Sequence, residues 1–433
     1  MRQDVPPRGN RQQVGVDGFE QTGDDEIQMY STVSGENRGA FSGAFFSYGF
    51  RPFFLSAGCY APIVIVYWIG VLSGWWPART AASPLWWHGH EMVFGWAAAA
   101  LCGFLLTAVP SWSASNPVSG TALAFLWLLW LLGRAGMWFS ASLPSGVGFA
   151  LDLLLIPGLL CFVLPPIYRH KEPRHYVFPV FLLVFWIANL LSLLPYTNAW
   201  PNRATTGLYL GTYVMIVMLT IIGGRVVPNF TRGALRAKGK EQGVKTSETL
   251  SKLTILGVVL ALAIDLVVRN RPIGSIGTVV NGCAALLVAV LLILRAKGWR
   301  LRDTLDNPLL WILHIGQGWL IFAFAARAVS SLTGLLPPAV SFHALGAGAM
   351  ATMILAFMTR APLGHTGRPL RASRITAVTY LLVIAAGAAR VLSPLLPGNL
   401  QLSGLSVAGG LFAIAYATYV VVYFPILTRP AVR

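Results

Sequence analysis

The chain has 433 residues, of which 55% are hydrophobic and only 11% carry a charged side chain. Because soluble domains carry about 25% charged residues, this composition excludes an ordinary soluble fold and predicts an all-α, polytopic transmembrane bundle. The net charge of +17 could suggest a nucleic-acid partner, but the basic residues mostly lie in short loops between apolar runs, which is typical of membrane topology.

The first 45 residues differ from the rest of the chain. They are polar, rich in Gly, Asp, Glu and Gln, and show no apolar periodicity. They also lack the charged, apolar and small-residue zones of a signal peptide. We therefore predict a disordered tail over 1–45, followed by a single transmembrane domain over 46–433.

Twelve apolar segments meet the requirement of about 20 residues for a membrane-spanning helix. In chain order, helices 1 to 12 are predicted at about 50–73, 88–110, 119–141, 146–168, 174–195, 204–226, 250–269, 275–296, 307–333, 338–360, 374–394 and 403–427. The loops between them are short except 227–249, which is basic.

The distribution of lysine and arginine predicts the orientation. The loops after helices 4, 6, 8 and 10 hold most of the basic residues, whereas the loops after odd-numbered helices hold little beyond Arg79, Arg203 and Arg271. Because cytoplasmic loops carry the excess of positive charge, we expect both termini to face the cytoplasm.

This orientation places the polar residues within the membrane at one depth. His88, His90 and Glu91 lie at the outer end of helix 2, and His343 lies one to two turns into helix 10. Polar residues in the outer halves of other helices are Arg134, Asp152, Asn189, Asp265, Asn281, Arg327 and Arg390. Polar groups inside a membrane are costly and usually functional, so this level is the predicted site.

The pair His88-x-His90 opens helix 2 in a chain with seven histidines. Imidazole is the commonest metal ligand in proteins, but residues i and i+2 of a helix point about 200° apart. Either the segment is extended and both rings bind one metal, or each histidine serves a different centre. The alternative without a metal is a pair of interfacial histidines that hydrogen-bond to loop carbonyls.

The other histidines divide into candidates and solvated residues. His343 is followed by small residues that would let a flat macrocycle approach. His314, deeper in helix 9 between apolar residues, could bind a second centre. His365 is expected in the loop after helix 10, as a loop histidine or a ligand, and His170 and His175 are expected to be solvated.

Two arginines and one glutamate complete the predicted site. A guanidinium inside the bilayer needs an anion, so Arg134 and Arg327 would contact haem propionates or pair with Asp152 and Asp265. Glu91 could orient one of the histidines of helix 2 or deliver protons. The four cysteines form no CxxC or CxxCH pattern, which argues against a disulfide framework and covalently attached haem.

At four motifs the sequence resembles the NnrS family of haem- and copper-containing bacterial membrane proteins. The motifs are Gly49-Phe50-Arg51-Pro52-Phe53-Phe54, Trp87-His88-Gly89-His90-Glu91-Met92, Gly223-Gly224-Arg225-Val226-Val227-Pro228-Asn229-Phe230-Thr231 and Leu363-Gly364-His365-Thr366-Gly367-Arg368-Pro369-Leu370. The resemblance covers about residues 45–427, and Gly89 stands where we expect alanine.

The resemblance implies twelve helices in the bacterial inner membrane, b-type haem, copper, and a role in handling nitric oxide during denitrification or nitrosative stress. It also makes His365, in a family motif, a stronger candidate for a metal ligand. The leading hypothesis is a nitric oxide reductase-like oxidoreductase that takes electrons from a quinol or a soluble carrier. The alternatives are a secondary transporter of a metal, haem or small anion, and a sensor that binds nitric oxide without turnover.

Overall fold

Twelve apolar helices, each long enough to cross a membrane, make up most of the chain that the computed structural model describes, and no strand occurs among those residues. The described residues are 43–432 without 79, 81, 145, 195–203 and 241–242. Nearly all of the predicted tail, as well as Arg79 and Arg203, lies outside the described residues. The predicted all-α fold with twelve spans is confirmed.

The helices are labelled in chain order. They are α1 (Phe50–Leu72), α2 (Pro84–Ser113), α3 (Gly120–Trp138), α4 (Val147–His170), α5 (Pro173–Leu193), α6 (Thr205–Arg236), α7 (Glu248–Val268), α8 (Ile276–Lys297), α9 (Pro308–Thr333), α10 (Pro338–His365), α11 (Arg374–Leu395) and α12 (Gly398–Thr428).

Short polar side chains and prolines determine where several helices begin. The Ser83 hydroxyl accepts a hydrogen bond from the backbone N–H of Trp86, and Pro84 occupies the first turn of α2. Proline is favourable there because its missing N–H would have no partner within the helix. Equivalent caps come from Ser247, Ser275, Asn307 and Ser373.

Two predicted helix ends are wrong. Helix α6 does not stop at 226 but continues ten residues to Arg236, so Gly223 and Gly224 lie inside it. Both glycines are needed for close packing, because a Cβ at Gly224 would lie 2.6 Å from a guanidinium nitrogen of Arg295. Helix α10 includes His365 as its last residue, so this histidine is not in a loop. A prediction from hydropathy ends a helix where the apolar run ends. In the structure, polar residues continue both helices beyond that point.

Three helices form the centre of the bundle. The apolar windows of α2, α6 and α10 are 83%, 78% and 78% buried, against 61% or less for every other span. These three helices occur at every fourth position in the chain, and the other nine lie around them. Polar side chains on the central helices are therefore shielded from lipid by protein.

The first and last spans meet at one end of the bundle. Helix α1 packs along α12, and Nη1 of Arg51 donates hydrogen bonds to the carbonyls of Leu427 and Arg429 at 3.0 and 2.6 Å. Carbonyls at the end of a helix receive no hydrogen bond from a later turn, so a cationic donor satisfies them well. The beginning of α1 and the end of α12 thus lie side by side.

Candidate functional site

The outer parts of α2 and α10 share an unusual backbone. Each begins with a short α-helical segment whose last residue is a histidine. These segments are Pro84–His90 in α2 and Pro338–His343 in α10. Each then passes into seven residues of π-helix, Glu91–Ala97 and Ala344–Met350, before the α-helix resumes. Segments of π-helix are rare in proteins overall, but those that occur are often found at functional sites. The two segments are therefore candidates for a functional site.

A cavity of about 340 Å³ lies between α2 and α10 and is closed by four further helices. Both π-helical segments contribute to its wall, and His88 and His343 are the two histidines on it. The remaining wall is mostly apolar or aromatic, and none of the described residues that form it is acidic. The volume and the character of this cavity are typical of ligand and cofactor sites.

His88 lies flat against an aromatic ring of α1. Its imidazole stacks on Trp68 with the ring centroids 4.7 Å apart and the planes 8° from parallel. Its Nδ1 is buried and has no hydrogen-bond partner among the described residues. A buried nitrogen without a hydrogen-bond partner costs free energy. Since Nδ1 makes no polar contact, stacking on Trp68 is the contact that holds the ring in this position.

His343 is oriented by two hydrogen bonds. Its Nδ1 lies 2.9 Å from the carbonyl oxygen of Ala339, one turn earlier in α10. Because that oxygen can only accept, Nδ1 carries the proton and Nε2 keeps a lone pair. Nη2 of Arg390 donates to this Nε2 at 2.8 Å. Metal-binding histidines are commonly held by the same Nδ1–H contact to a backbone carbonyl.

His90 faces away from the cavity into a buried polar cluster. Its Nδ1 lies 3.0 Å from Oε1 of Glu91, and its Nε2 lies 3.0 Å from Oδ1 of Asn189. The amide of Asn189 donates to Asp152, which fixes Oδ1 as the atom that meets the ring. Both ring nitrogens thus face acceptors, and neither offers a free lone pair in this arrangement.

Arg134 neutralises the carboxylates of the same cluster. Its guanidinium pairs with Glu91 at 2.5 Å and with Asp152, and the Tyr60 hydroxyl also donates to Glu91. With a doubly protonated His90, two positive charges balance two negative charges. Gly95 permits the close packing, because a Cβ there would lie 2.7 Å from Arg134 and 2.9 Å from Glu91.

Arg327 belongs to a second cluster of the same kind. Its Nη1 lies 3.0 Å from Oδ1 of Asp265, and this carboxylate also accepts hydrogen bonds from Asn281 at 2.8 Å and from Tyr213. Of the two alternatives for Arg134 and Arg327, the structure therefore contains the ion pairs with Asp152 and Asp265. Neither arginine lies on the wall of the cavity.

His314 and His365 are remote from the cavity wall. Nε2 of His314 lies 3.1 Å from the Thr231 hydroxyl, in the half of α9 opposite the polar clusters. His365 packs beside Tyr48 and Phe50 with centroid distances of 5.4 and 5.9 Å. It lies 22 residues from His343 on the same helix, or about 33 Å at 1.5 Å per residue. No group of three metal-binding side chains of the types His, Cys, Asp or Glu occurs within the described ranges.

Three aromatic residues of the site were not predicted, and one histidine lies in surroundings other than those predicted. Trp68, Tyr60 and Tyr213 give no signal in sequence, because aromatic residues are common throughout membrane helices. His175, predicted to be solvated, is buried and stacks on Trp112 at 5.2 Å. The first turn of α5, which holds His175, packs against the end of α2, and the charge of the neighbouring basic residues does not reveal this contact.

Comparison with known protein families gives one match. A family profile described as NnrS protein matches residues 44–431, which is nearly the whole described chain. No curated protein matches the sequence at a significant level. The match includes both π-helical segments, the cavity and the two polar clusters.

Proposed function

The chain belongs to the NnrS family, and from that premise we propose that it binds b-type haem and copper and uses them to bind and reduce nitric oxide. One observation carries the proposal: His88 and His343, from separate central helices, lie on the wall of the same apolar cavity. Iron in haem accepts imidazole ligands, and a flat, apolar macrocycle is stabilised by apolar walls.

The residues of the cavity suit haem in three respects. His343 presents a lone pair at Nε2 and is oriented through Nδ1. His88 has a buried Nδ1 without a partner and a ring fixed by Trp68. Gly346 and Ala347 on the wall of α10 leave room for a ring to approach. We therefore assign haem to His88 and His343, and we assign to His90 the role of holding the adjacent ionic cluster.

The position of copper is the less constrained part of the proposal. The sequence predicts His90, His314 and His365 as its ligands, but both ring nitrogens of His90 already have partners. We therefore propose His314 or His365, each of which would need further ligands, since no three metal-binding side chains lie together within the described ranges. His314 is adjacent to Thr231 and His365 to Tyr48. Copper content of the single His314→Ala and His365→Ala variants would decide between them.

Reduction of two NO to one N₂O and one water consumes two electrons and two protons. When bound, haem would supply iron that binds NO once one of its two histidines leaves the metal, and copper would supply a second redox-active metal. We propose that the electrons come from a quinol or a soluble carrier. The apolar wall admits a neutral diatomic gas and keeps bulk water away from the reacting groups.

Glu91 is the proposed relay for protons. It is completely buried and borders Met92 and Val93, which lie on the cavity wall. Its carboxylate contacts Tyr60, His90 and Arg134 rather than the cavity itself. Glu91→Gln should therefore slow NO turnover several-fold while haem content stays near that of the unmodified protein. Unchanged turnover would remove Glu91 from the reaction.

The cellular setting is also proposed. We place the protein in the bacterial inner membrane, in contact with lipid along its outer helices, with both termini cytoplasmic and the cavity near the periplasmic face. The excess of basic residues in the loops after even-numbered helices supports this orientation. The contact between Arg51 and Leu427 agrees with termini on one side.

The deciding experiment is purification in detergent, followed by an absorption spectrum, a pyridine haemochrome assay and metal analysis. We expect a Soret band, about one haem or more per chain, and bound copper. Colourless protein without stoichiometric metal would refute the redox function and favour a transporter. Protein that binds haem and NO but shows no turnover in stopped-flow mixing with NO after reduction would indicate a sensor.

A further inference from the structure

Among the described residues, Arg390 of α11 is the only arginine on the wall of the cavity. Its Nη2 donates to Nε2 of His343 at 2.8 Å. Its position follows from close packing one turn earlier, where a Cβ at Gly387 would lie 3.0 Å from the carbonyl oxygen of Ala347. Helix α11 is therefore seated directly on the π-helical segment of α10, and Arg390 is held beside the histidine.

Arg390 differs from the other arginines of the same level in its charge partners. Arg134 and Arg327 pair with Asp152 and Asp265. Among the described residues Arg390 has no carboxylate partner within ion-pair distance, and its Nη1 is buried without a hydrogen bond. The cavity wall that it faces contains no acidic residue from the part of the chain that the structure describes. A guanidinium in such surroundings favours the binding of an anion.

The contact with His343 also limits what Arg390 can do when a metal is present. A single lone pair on Nε2 cannot both accept a hydrogen bond from Arg390 and bind a metal ion. Metal binding at His343 therefore releases Nη2 of Arg390, and together with the unpartnered Nη1 it is then free for another acceptor. A planar anion with two oxygens suits this fork, because guanidinium and carboxylate form two parallel hydrogen bonds.

We propose that Arg390 is the anion-binding residue of the cavity and that it holds a carboxylate side chain of the haem. This inference rests on the proposed function, since it requires haem in the cavity. It assigns the role that the sequence suggested for Arg134 and Arg327 to a different arginine. A free small oxyanion such as nitrite has the same planar, two-oxygen chemistry and is the competing occupant.

Haem and haem dimethyl ester, whose carboxylates are blocked, distinguish these cases. Full-length protein is purified from a haem-deficient host and titrated with each compound. We expect unmodified protein to bind haem about tenfold or more tightly than the ester, because a charge-assisted hydrogen bond is lost. In Arg390→Gln both compounds should bind with the same, weaker affinity, and Arg390→Lys should retain part of the preference for haem.

Arg295→Gln is the matched control. Arg295 is buried and, within the described part of the chain, also pairs with no carboxylate, but it contacts Gln317 and the Thr220 carbonyl in the other half of the bundle. This variant should keep the full preference for haem over the ester. If it loses the preference as well, the effect of Arg390→Gln comes from general loosening of the bundle and the proposal is refuted.

The remaining outcomes separate the proposal from the function on which it rests. Equal affinity of unmodified protein for haem and ester would refute the role of Arg390 while leaving haem binding intact. Failure to bind either compound would refute the proposed function itself, and with it the carboxylate. Quenching of tryptophan fluorescence by nitrite in haem-free protein but not in Arg390→Gln, together with equal haem and ester affinities, would assign Arg390 to a free anion instead.

Discussion

His88 and His90, two residues apart in one helical turn, have different surroundings. His88 lies on the cavity wall against Trp68, whereas His90 is enclosed by Glu91 and Asn189. The segment that holds them is α-helical, so their rings point about 200° apart. One helix therefore supports the cavity on one face and an ionic cluster on the other.

Removal of either cavity histidine should release haem. We expect His88→Ala and His343→Ala each to lower the haem content of purified protein at least several-fold, because each removes a proposed iron ligand. His170→Ala, outside the cavity wall, should retain full content. The pyridine haemochrome assay measures all three, and full haem content in both cavity variants would reject the assigned site.

Removal of His90 should affect stability more than cofactor content. His90→Ala removes the ring that contacts Glu91 and Asp152 and leaves their buried oxygens without this partner. The loss of a hydrogen-bond partner in the interior costs about 1–3 kcal/mol. The variant should melt at a lower temperature in detergent, while its folded fraction carries haem as before. Loss of haem or copper at unchanged melting temperature would instead make His90 a ligand.

Arg134→Leu tests whether this arginine contacts haem or only carboxylates. The structure pairs it with Glu91 and Asp152, so we expect destabilisation of about 3–5 kcal/mol and an unchanged ratio of haem to folded protein. Adding Asp152→Asn should restore part of the stability, since fewer buried charges then lack partners. Faster haem loss from the folded single variant would show contact with a haem propionate.

Gly346→Leu should block the cavity. Gly346 lies on the cavity wall, and no atom lies within 4 Å of a Cβ built there. A leucine would occupy space that the cofactor needs, so haem content should fall while thermal stability is maintained. Gly318→Leu is the matched control, because Gly318 is also helical with open space around its Cβ but lies off the cavity wall. Equal haem content in the two variants would contradict the placement of haem.

The sequence was sufficient to predict the spans and the level of the polar residues. Apolar runs of about 20 residues have few alternatives to a membrane helix, and the alternation of spans fixes which residues share a depth. Helical periodicity also predicted that the rings of His88 and His90 would point about 200° apart. These features depend on local sequence, so the packing of the helices against one another does not change them.

The parts that sequence did not predict depend on contacts between distant segments. No sequence pattern identifies the π-helical segments Glu91–Ala97 and Ala344–Met350. The choice between propionate and carboxylate partners for Arg134 depends on the packing of α3 against α4. Arg390 was placed at the right level, but its lack of a carboxylate became apparent only from its neighbours.

The contact of Arg51 with the last carbonyls of α12 has a consequence for biosynthesis. Arg51 is among the first membrane residues to leave the ribosome, and Leu427 and Arg429 are among the last. Its guanidinium therefore lacks these acceptors until the final span is inserted. A chain that ended early would leave this cation without the carbonyls that satisfy it in the folded bundle.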